Sequence, residues 1–431
     1  MEFMDQNTMQ HIIIAGAGAS GLMAGYLLSQ KGYRITFLEA RDRIGGRIHT
    51  QREGPFSKPV ELGAEFIHGD LELTKQLLDD AGISYTKLDG EMWHYKEGRF
   101  HQDDAYAEHW PLLMQKLNEL ETDCSINAFL QQAFAGEQYE DMRRSIIRFA
   151  EGYDAADADK VSAFSLRDEW SHSDDNQYRV EGGYGRLMHY LCDQSIKNGA
   201  VLHLSTVVKS IRWQQGKATV TTDAGVSFEA DKVIITVPLS ILQEEHIQII
   251  PAVPAKIQAA RNIGCGQVIK YTFQFLEDFW HNSNVAQLKE LQMLLSDEEI
   301  PTWWTQYPES STLLTGWISG PRAWKMKDMD RAALLEKALH SLSRIFQEPL
   351  QVIKDNLDAW MITNWPADPF AQCAYSYAMP GSGLSRQELQ LPVEDTIYFA
   401  GEATFNGPST GTVEAALQSG RDVANRIRDA S

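Results

Sequence analysis

Residues 12–24 read Ile-Ile-Ile-Ala-Gly-Ala-Gly-Ala-Ser-Gly-Leu-Met-Ala. An apolar run suited to a buried strand is followed by glycines at Gly-x-Gly-x-x-Gly spacing (Gly16, Gly18 and Gly21), and then by the apolar residues of a helix. Glycines allow a sharp turn and a close backbone approach to a ligand, while the helix N-terminus offers free N–H groups and a positive dipole end. The stretch therefore predicts a strand–turn–helix unit that binds a dinucleotide pyrophosphate, with Ser20 in the first helical turn.

The residues after the next predicted strand indicate which dinucleotide is bound. Glu39 ends that strand, and its carboxylate can bind a ribose 2′-hydroxyl but would repel a 2′-phosphate. Residues 40–47 then read Ala-Arg-Asp-Arg-Ile-Gly-Gly-Arg. An arginine here can reach the second phosphate of an extended FAD, and a glycine pair lets backbone pack against it. We expect FAD rather than NAD, with Ala40, Arg41, Gly46 and Arg47 among its contacts; a solvated charged loop is the alternative.

Composition narrows the class of protein and its partners. A chain of 431 residues is too long for one simple core, so we expect two domains. The net charge of −20 disfavours nucleic acid and anionic membranes as partners and weakly favours cationic small molecules, although acidity also serves solubility alone. We expect a monomer or homodimer.

Targeting signals and cysteine spacing bear on the compartment. No apolar run is long enough to cross a membrane, and the first residues lack the pattern of a secretory signal. The four cysteines show no C-x-x-C spacing, so we expect neither a metal site nor a disulfide framework. A reducing compartment, the cytoplasm, follows as an expectation.

The order of patterns along the chain predicts an α/β protein. Strand and helix patterns alternate at the start, hairpin-like alternation fills 201–238, and a last strand and helix return to the first sheet. We expect a Rossmann-like FAD-binding domain that is discontinuous in sequence (1–75, 185–262 and 385–431). Residues 76–184 and 263–384 would form an α+β substrate domain, with a helical insert at 102–150 where apolar residues recur at helical spacing.

Five separated motifs resemble the flavin-dependent amine oxidases, the group that contains polyamine oxidases, monoamine oxidases and histone demethylases. Their order and spacing agree over nearly the whole chain, which is a stronger signal than any single motif. They lie at 14–47, 61–69, 231–238, 268–280 and 397–404.

The resemblance implies further cofactor contacts from four segments. These are Gly63, Ala64 and Glu65 along the isoalloxazine ring, Val208 at the adenine, Glu402 at the ribityl–pyrophosphate region, and Thr412 and Val413 at a helix start that points to the flavin O2. A helix dipole there stabilises the negative charge of reduced flavin. Thr412 and Val413 could also be a plain helix start.

The same resemblance implies a substrate site with Lys270, Trp365 and Tyr375. Lys270 matches the lysine that holds a water near flavin N5, although an exposed position on an alternating strand is the alternative. Trp365 would pack beside the flavin, and Tyr375 would form one wall of an aromatic cage that attracts an amine. Ordinary core packing is the other interpretation of both aromatic residues.

Two departures from the family pattern concern the cage and the cofactor linkage. Residues 405–412 contain no Tyr or Trp where a second aromatic wall is usual, so either Phe405 replaces it or the cage is open on one side. Cys373 lies near the cysteine that bonds flavin in monoamine oxidases, but the following Ala374-Tyr375 does not match their Cys-Tyr pair. We therefore expect non-covalent FAD.

The function implied is oxidation of a primary or secondary amine, with O2 as the second substrate. Glu65 and His68 stand where amino-acid oxidases carry an arginine for a carboxylate, which favours a polyamine whose remote ammonium pairs with Glu65. Glu65 as flavin support and His68 as a buried histidine are the alternatives. An L-amino-acid oxidase, a carbon–carbon oxidase or desaturase of the protoporphyrinogen or carotenoid type, and a non-catalytic flavoprotein stay open, as do the amine and the oxidised carbon.

Overall fold

The computed structural model describes residues 9–102, 109–171, 176–282, 288–407 and 409–430. In chain order, the strands are β1 (His11–Ala15), β2 (Arg34–Leu38), β3 (Thr50–Gln51), β4 (Val60–Glu61), β5 (Phe66–His68), β6 (Tyr85–Leu88), β7 (Glu91–Lys96), β8 (Arg99–His101), β9 (Gln177–Val180), β10 (Val201–His203), β11 (Val208–Gln214), β12 (Lys217–Thr222), β13 (Ser227–Ala230), β14 (Lys232–Ile235), β15 (Gln248–Ile250), β16 (Gly264–Cys265), β17 (Val268–Phe275), β18 (Leu291–Ser296), β19 (Thr302–Trp304), β20 (Leu313–Ser319), β21 (Leu357–Asn364), β22 (Ser376–Tyr377) and β23 (Ile397–Phe399).

The helices, in the same order, are α1 (Ala19–Ser29), α2 (Glu72–Asp80), α3 (Trp110–Asn118), α4 (Ile126–Ala133), α5 (Glu140–Gly152), α6 (Ala163–Ser171), α7 (Gly185–Lys197), α8 (Leu239–Gln243), α9 (Pro254–Arg261), α10 (Gly320–Met326), α11 (Arg331–Phe346), α12 (Leu350–Asn356), α13 (Ser382–Gln390) and α14 (Val413–Asp429). Short 3-10 helices cover Glu137–Tyr139, Phe279–Asn282, Trp365–Ala367 and Glu402–Thr404.

A parallel sheet in the order β10-β2-β1-β14-β23 forms the first layer. Its central strand β1 is apolar on both faces, as a parallel strand covered on both sides must be. Ile12 and Ile14 pack with α1, α7 and α14, whereas Ile13 packs with the antiparallel strands β11, β12 and β13 on the other side. Because parallel strands all end at one edge, this sheet places the β1–α1 turn and the end of β2 side by side.

A second sheet has the order β21-β17-β20-β19-β18-β7-β8, so β17 is the second strand and lies between β21 and β20. Ile269, Tyr271 and Phe273 pack on one face against α11 and its neighbours. Side chains alternate between the faces of a strand, so Lys270 lies on the opposite face. Although β17 is buried along its whole length, the pleat thus still separates its core residues from the lysine.

Helices α3–α6 form a separate apolar core that packs beside the second sheet. Helices α3–α5 correspond to the helical insert expected at 102–150, of which 103–108 lie outside the described residues, and α6 lies beyond its expected end. Strands β6–β8 were not expected from the sequence, and β6 and β5 both pair with β9 in a small antiparallel sheet.

The predicted α/β class is confirmed, and the proposed division into domains stays a prediction. Every strand of the parallel sheet comes from the three segments assigned to the FAD domain (1–75, 185–262 and 385–431). Strand β5, however, belongs to the first of these segments and pairs with β9 of the other part. In the part of the chain that the structure describes, no helix is long and apolar enough to cross a membrane.

Cys265 and Cys373 form a disulfide, with a Cα–Cα distance of 5.7 Å. The expectation that the cysteines form no disulfide framework was therefore wrong for this pair. The two residues are 108 positions apart, and they meet because β16 pairs with β22. Spacing in the sequence carries no signal of such a long-range contact.

Close packing of α1 on β2 gives a test of the first layer. A Cβ added at Gly25 would lie 2.1 Å from Cζ of Phe37, which is fully buried. In a helix, alanine is more favourable than glycine by about 1 kcal/mol, but overpacking a tightly packed core costs about 1–3 kcal/mol. We expect Gly25→Ala to lower the free energy of unfolding by up to about 2 kcal/mol in urea titrations.

Gly152→Ala is the matched control for this substitution. Gly152 also lies in a helix, and a Cβ added there meets no atom within 4 Å. We expect no loss of stability from it. Equal effects of the two substitutions would contradict the packing described here.

Candidate active site

A cavity of about 1980 Å³ extends from the β1–α1 turn to the Lys270 face of β17. Pockets for a drug-sized ligand measure roughly 300–1,000 Å³, so this one has room for a dinucleotide and a second small molecule. The cavity is lined by all but one of the residues predicted for the site. These are Gly16, Gly18, Ser20, Glu39, Ala40, Arg41, Gly46, Arg47, Gly63, Ala64, Glu65, His68, Val208, Lys270, Trp365, Tyr375, Glu402, Thr412 and Val413.

The exception, Gly21, has a packing role in the glycine turn. A Cβ at Gly21 would lie 2.2 Å from the carbonyl oxygen of Gly16, which itself has a φ of +113°. A Cβ at Gly18 would have its nearest neighbour 4.0 Å away, on the open side of the turn. Ser20 Oγ is buried without a protein partner, and α1 has no side-chain cap. An anionic group at this helix start would satisfy these free donors.

Glu39 is fixed at the next part of the cavity by two backbone donors. The N–H of Ala17 donates to one carboxylate oxygen at 2.7 Å and the N–H of Arg41 to the other at 2.9 Å, and only 6% of Glu39 is exposed. Ala40 and Val208 line the cavity beside it. The carboxylate is held in place and keeps lone pairs for ribose hydroxyls, as predicted for an adenosine site.

The glycine pair brings the loop after β2 against the turn. Gly45 and Gly46 have φ values of +94° and +59°, and a Cβ at Gly46 would lie 3.4 Å from Cα of Gly18. Arg43 donates to three carbonyl oxygens of residues 44–48, which explains its place outside the cavity lining. Burial lowers the pKa of Arg43 to about 10, and the neighbouring arginine adds to this effect.

The two arginines predicted to contact phosphate are already paired within the protein. Arg41 donates to both carboxylate oxygens of Asp368, at 2.9 and 2.6 Å. Arg47 donates to the carbonyl oxygen of Ala374 at 2.7 Å and to Glu402 at 2.9 Å. Both line the cavity, so their contact with phosphate stays a prediction, while their visible role is to bind distant segments together.

The last helix starts at the cavity wall. Thr412 accepts a hydrogen bond from the N–H of Ala415 at 3.1 Å and so caps α14, which begins at Val413. Its positive dipole end faces the cavity region where the resemblance implies flavin O2. Glu414, by contrast, turns away and accepts bonds from the start of α2.

Gly63 shows why a small residue is required at the predicted ring position. A Cβ there would lie 1.9 Å from the carbonyl oxygen of Arg47 and 3.2 Å from the indole of Trp365. Trp365 is buried and lines the cavity next to this backbone. A flat ring fits beside the segment that contains Gly63 and Ala64. Taken with the free donors of Ser20 and α1, the residues present fit FAD.

Lys270 is buried with 1% of its surface exposed, so the alternative of an exposed strand face is wrong. Its ammonium group donates to Glu65 at 2.8 Å and to the carbonyl oxygen of Gly63 at 3.1 Å, and lies 5.3 Å from the ring centroid of Trp304. Arg179 donates to the second carboxylate oxygen of Glu65 at 3.2 Å. The three charged groups form what we call the buried charge triad.

The triad changes the role expected of Glu65. Burial opposes ionisation of Glu65, but the charges of Lys270 and Arg179 outweigh it and lower its pKa. Both oxygens are occupied by protein cations, and the triad carries a net positive charge. The predicted pairing of a remote substrate ammonium with Glu65 is therefore not favoured.

His68 is uncharged at neutral pH because burial lowers its pKa to about 4. Its Nδ1 lies 3.5 Å from the hydroxyl of Tyr153, and the two ring centroids are 5.8 Å apart. His68 therefore forms part of a neutral, mostly aromatic wall. It supplies no second charge for a substrate.

Aromatic residues line the cavity on more than one side. Tyr375 donates its hydroxyl to the carbonyl oxygen of Tyr153 at 2.6 Å, and Tyr153 stacks on Phe149 with ring centroids 5.6 Å apart. Phe405, the expected replacement for the missing wall, is not among the residues that line the cavity. The end of α5 thus supplies aromatic groups that sequence reasoning sought at 405–412.

Sequence reasoning missed Arg179, Asp154 and Glu169, all of which lie at this site. Arg179 is on the short strand β9, and its pairing with Glu65 joins residues 114 positions apart. Asp154 and Glu169 also line the cavity, and burial raises the pKa of both carboxyl groups. Single charged residues scattered over separate segments gave no pattern from which their positions at the site could be inferred.

The comparisons with known proteins agree with this geometry. A model of the family described as flavin containing amine oxidoreductase matches residues 19–428. The chain belongs to this family. Membership confirms the resemblance inferred from the five motifs and implies a flavin cofactor.

The curated relatives include two of the three groups named by the resemblance, histone demethylases and polyamine oxidases. Lysine-specific histone demethylase 1B from Mus musculus is 26% identical over 96% of this chain and 52% of its own length. Polyamine oxidase 4 from Oryza sativa subsp. japonica is 25% identical over 97% of this chain and 88% of its own length. The chain spans about half the length of the histone demethylases it matches.

Solved structures show the same fold. A putrescine oxidase with redesigned cofactor binding superposes with a TM-score of 0.81 at 20% identity, covering 98% of this chain and 99% of that one. A cyclohexylamine oxidase from Brevibacterium oxydans gives the same score, identity and coverage. At this identity the likeness establishes the fold alone.

The geometry around Glu39 predicts its contribution to FAD binding. Glu39→Ala removes the charged acceptor that is held by two backbone donors and would accept from the ribose. One charge-assisted hydrogen bond is worth about 1.5–3 kcal/mol, so we expect FAD affinity to fall about ten- to 150-fold. Quenching of flavin fluorescence on titration into apoprotein measures this. Glu53→Ala, at an exposed position outside the cavity lining, is the control, and equal affinity of both variants would remove Glu39 from the site.

Proposed function

We propose that the chain is an FAD-dependent oxidase of primary or secondary amines that binds FAD non-covalently. When bound, FAD supplies an acceptor for the hydride that leaves the carbon next to the amine nitrogen, and its reoxidation by O2 gives hydrogen peroxide. Loss of the hydride converts the amine to an imine, which water hydrolyses to an aldehyde. The disulfide supports non-covalent binding because the sulfur of Cys373 is already bonded to Cys265. We expect acid precipitation to leave the flavin in the supernatant.

The buried charge triad is the observation that carries this proposal. An isolated buried ammonium is strongly disfavoured, and the counter-charge of Glu65 allows Lys270 to remain at the cavity surface. Lys270 lies next to Gly63, beside which a flat ring fits, and so can hold a water and a positive charge at the reacting face. A charge fixed in advance stabilises negative charge that develops when oxygen is reduced.

The surrounding wall suits an amine that must lose its proton before it reacts. Aromatic groups and the uncharged His68 make this part of the cavity poorly solvating for an ammonium ion, which favours the neutral amine. The ring faces still attract the cation during entry. The protein thus positions the substrate and adjusts its protonation.

Pairing of the cavity arginines disfavours an amino acid as substrate. Arg148 pairs with Asp297, and Arg322 donates to two backbone carbonyl oxygens. Arg41 and Arg47 are paired as described above. Among the described residues that line the cavity, each arginine therefore has a protein partner, and a substrate carboxylate would have to compete for it.

We favour di- or polyamines within the amine class. The net charge of −20 attracts polycations, and polyamine oxidases are among the relatives. A carbon–carbon oxidase would have no evident use for the buried lysine beside the ring position.

A peroxide assay over an amine panel tests the proposed reaction. We expect hydrogen peroxide from putrescine and spermidine, with kcat/KM at least about tenfold higher than for phenethylamine, because a second ammonium adds a charged contact worth about 1.5–3 kcal/mol. An amino acid should be the poorest substrate. Absence of peroxide with every amine would refute the proposal.

Lys270→Met tests the role of the triad. Glu65 keeps Arg179 as a partner in this variant, so we expect the protein to fold and retain FAD. Loss of the positive charge should slow reoxidation by O2 by roughly tenfold or more, measured by stopped-flow mixing of reduced enzyme with oxygen.

Lys256→Met is the matched control for this variant. Lys256 is equally buried and pairs with Glu388 at 2.8 Å, but it does not line the cavity. Reoxidation should proceed at the wild-type rate in this variant. The same slowing in both variants would show that loss of a buried ion pair, rather than the charge at the cavity, is responsible.

A further inference from the structure

Arg179 contacts Glu65 from the side away from the cavity, which Arg179 itself does not line. It lies on β9, the central strand of the small sheet β5-β9-β6, and pairs in register with Phe66. Its two terminal nitrogens donate to the carbonyl oxygens of Thr305 at 3.0 Å and of Tyr307 at 3.4 Å. The guanidinium carbon lies 5.3 Å from the ring centroid of Phe66. Contacts with separate segments therefore hold this cation in one orientation.

Without Arg179, the charge of Glu65 would cancel that of Lys270. The ammonium nitrogen and the nearer carboxylate oxygen are 2.8 Å apart, and both side chains are almost fully buried. Coulomb interactions add, so two opposite charges this close together give little net field at a point several times farther away. A positive charge at the ring position therefore needs a second cation. Arg179 is that cation, since its side chain is 15% exposed and contacts the other carboxylate oxygen at 3.2 Å.

Three titratable groups near the triad add no net positive charge to it. Lys58 is paired with Glu309 at 2.9 Å. His68 is uncharged at neutral pH because burial lowers its pKa to about 4. Burial raises the pKa of Glu61 to about 7, so this carboxyl is mostly uncharged in mildly acidic solution and negative in basic solution. These neighbours leave Arg179 as the source of the net positive charge.

We propose that Arg179 is a positioning residue of the oxidase reaction, which acts through Glu65 by making the buried charge triad a net cation. The inference rests on the proposed function and adds to it a residue that touches neither substrate nor cofactor. A net positive charge at the ring position stabilises the negative charge of a reduced ring and of oxygen that is reduced beside it. It also repels an ammonium ion at the reacting end, so the amine that reacts there is uncharged.

The kinetic test removes the charge of Arg179 in two ways and keeps it in a third. Arg179→Met is neutral, Arg179→Gln is neutral but can still donate to the backbone carbonyl oxygens, and Arg179→Lys keeps the charge. We expect reoxidation of the reduced enzyme by O2, followed by stopped-flow mixing, to slow about threefold or more in each neutral variant that folds, and to stay within about twofold of the wild-type rate in Arg179→Lys. Measurement at roughly pH 6 keeps Glu61 mostly uncharged.

Arg143→Met is the matched control for the neutral variants. Arg143 also donates to two backbone carbonyl oxygens, those of Phe134 and Gly136, but it lies on α5 and does not line the cavity. Reoxidation should proceed at the wild-type rate in this variant. The same slowing in Arg143→Met or in Arg179→Lys as in Arg179→Met would show that lost contacts, rather than the lost charge, are responsible, and would overturn the inference.

The reduction potential of the bound FAD provides a readout that does not depend on turnover. It is measured by equilibration with a redox dye in the absence of amine and O2. Because a nearby positive charge favours the reduced ring, its loss should shift the potential to more negative values in Arg179→Met and Arg179→Gln. Arg179→Lys and Arg143→Met should keep the wild-type potential. A structural contact alone would not produce this division between charged and neutral variants.

The outcomes separate the inference from the proposed function. If the wild type yields peroxide from amines and the neutral variants keep its reoxidation rate and its potential, Arg179 does not have this role, while amine oxidation stands. If no amine yields peroxide, the proposed function fails. The potential still decides the charge assignment in that case: a negative shift confined to the neutral variants supports it, and an unchanged potential overturns it.

Discussion

The ion pair between Lys270 and Glu65 is the interaction on which the arrangement of the site depends. Moving a single ammonium group into the protein interior costs several kcal/mol, and only a close counter-charge with further hydrogen bonds offsets this. Glu65 supplies that charge, and the carbonyl oxygen of Gly63 supplies the further bond. The pair thereby fixes the segment at 63–65 against β17 of the second sheet, so the predicted ring position and the lysine are held in one geometry. Arg179 keeps Glu65 ionised and adds the strand β9 to the same unit.

A second set of charges joins the dinucleotide region to the substrate wall. Arg41 and Asp368 are 327 positions apart, and Arg47 bonds both Glu402 and the backbone just before Tyr375. Such bidentate and charge-assisted bonds are stronger and more directional than neutral ones. A shift of the loop that contains Arg47 would therefore move Ala374 and, through the next peptide bond, Tyr375. Arg47 thus couples the binding of the dinucleotide to the shape of the substrate wall.

The sequence was sufficient for features whose cause is local. The glycine turn, Glu39 and the strand Val268–Phe275 were predicted at the positions where the structure has them, because turn chemistry and apolar runs act over a few residues. The alternation of Lys270 and Thr272 with Ile269, Tyr271 and Phe273 separates the two faces of this strand, but it does not reveal that the polar face is also covered by protein. The disulfide, the partner of Glu65 and the meeting of Asp154 with Glu169 were missed for a related reason. Each joins residues between 15 and 114 positions apart that only the fold brings together.

The two groups of buried charge at the cavity differ in how well they are satisfied. Glu65 lies between two cations that lower its pKa, whereas burial raises the pKa of Asp154 and of Glu169. If Asp154 and Glu169 served stability alone, we would expect either a protein cation beside them or an amide in place of one of them. An amide of the same shape would avoid the cost of burying a carboxylate without loss of packing. A group that is complete in the free protein is suited to act on every substrate in the same way, as the triad does at the ring position.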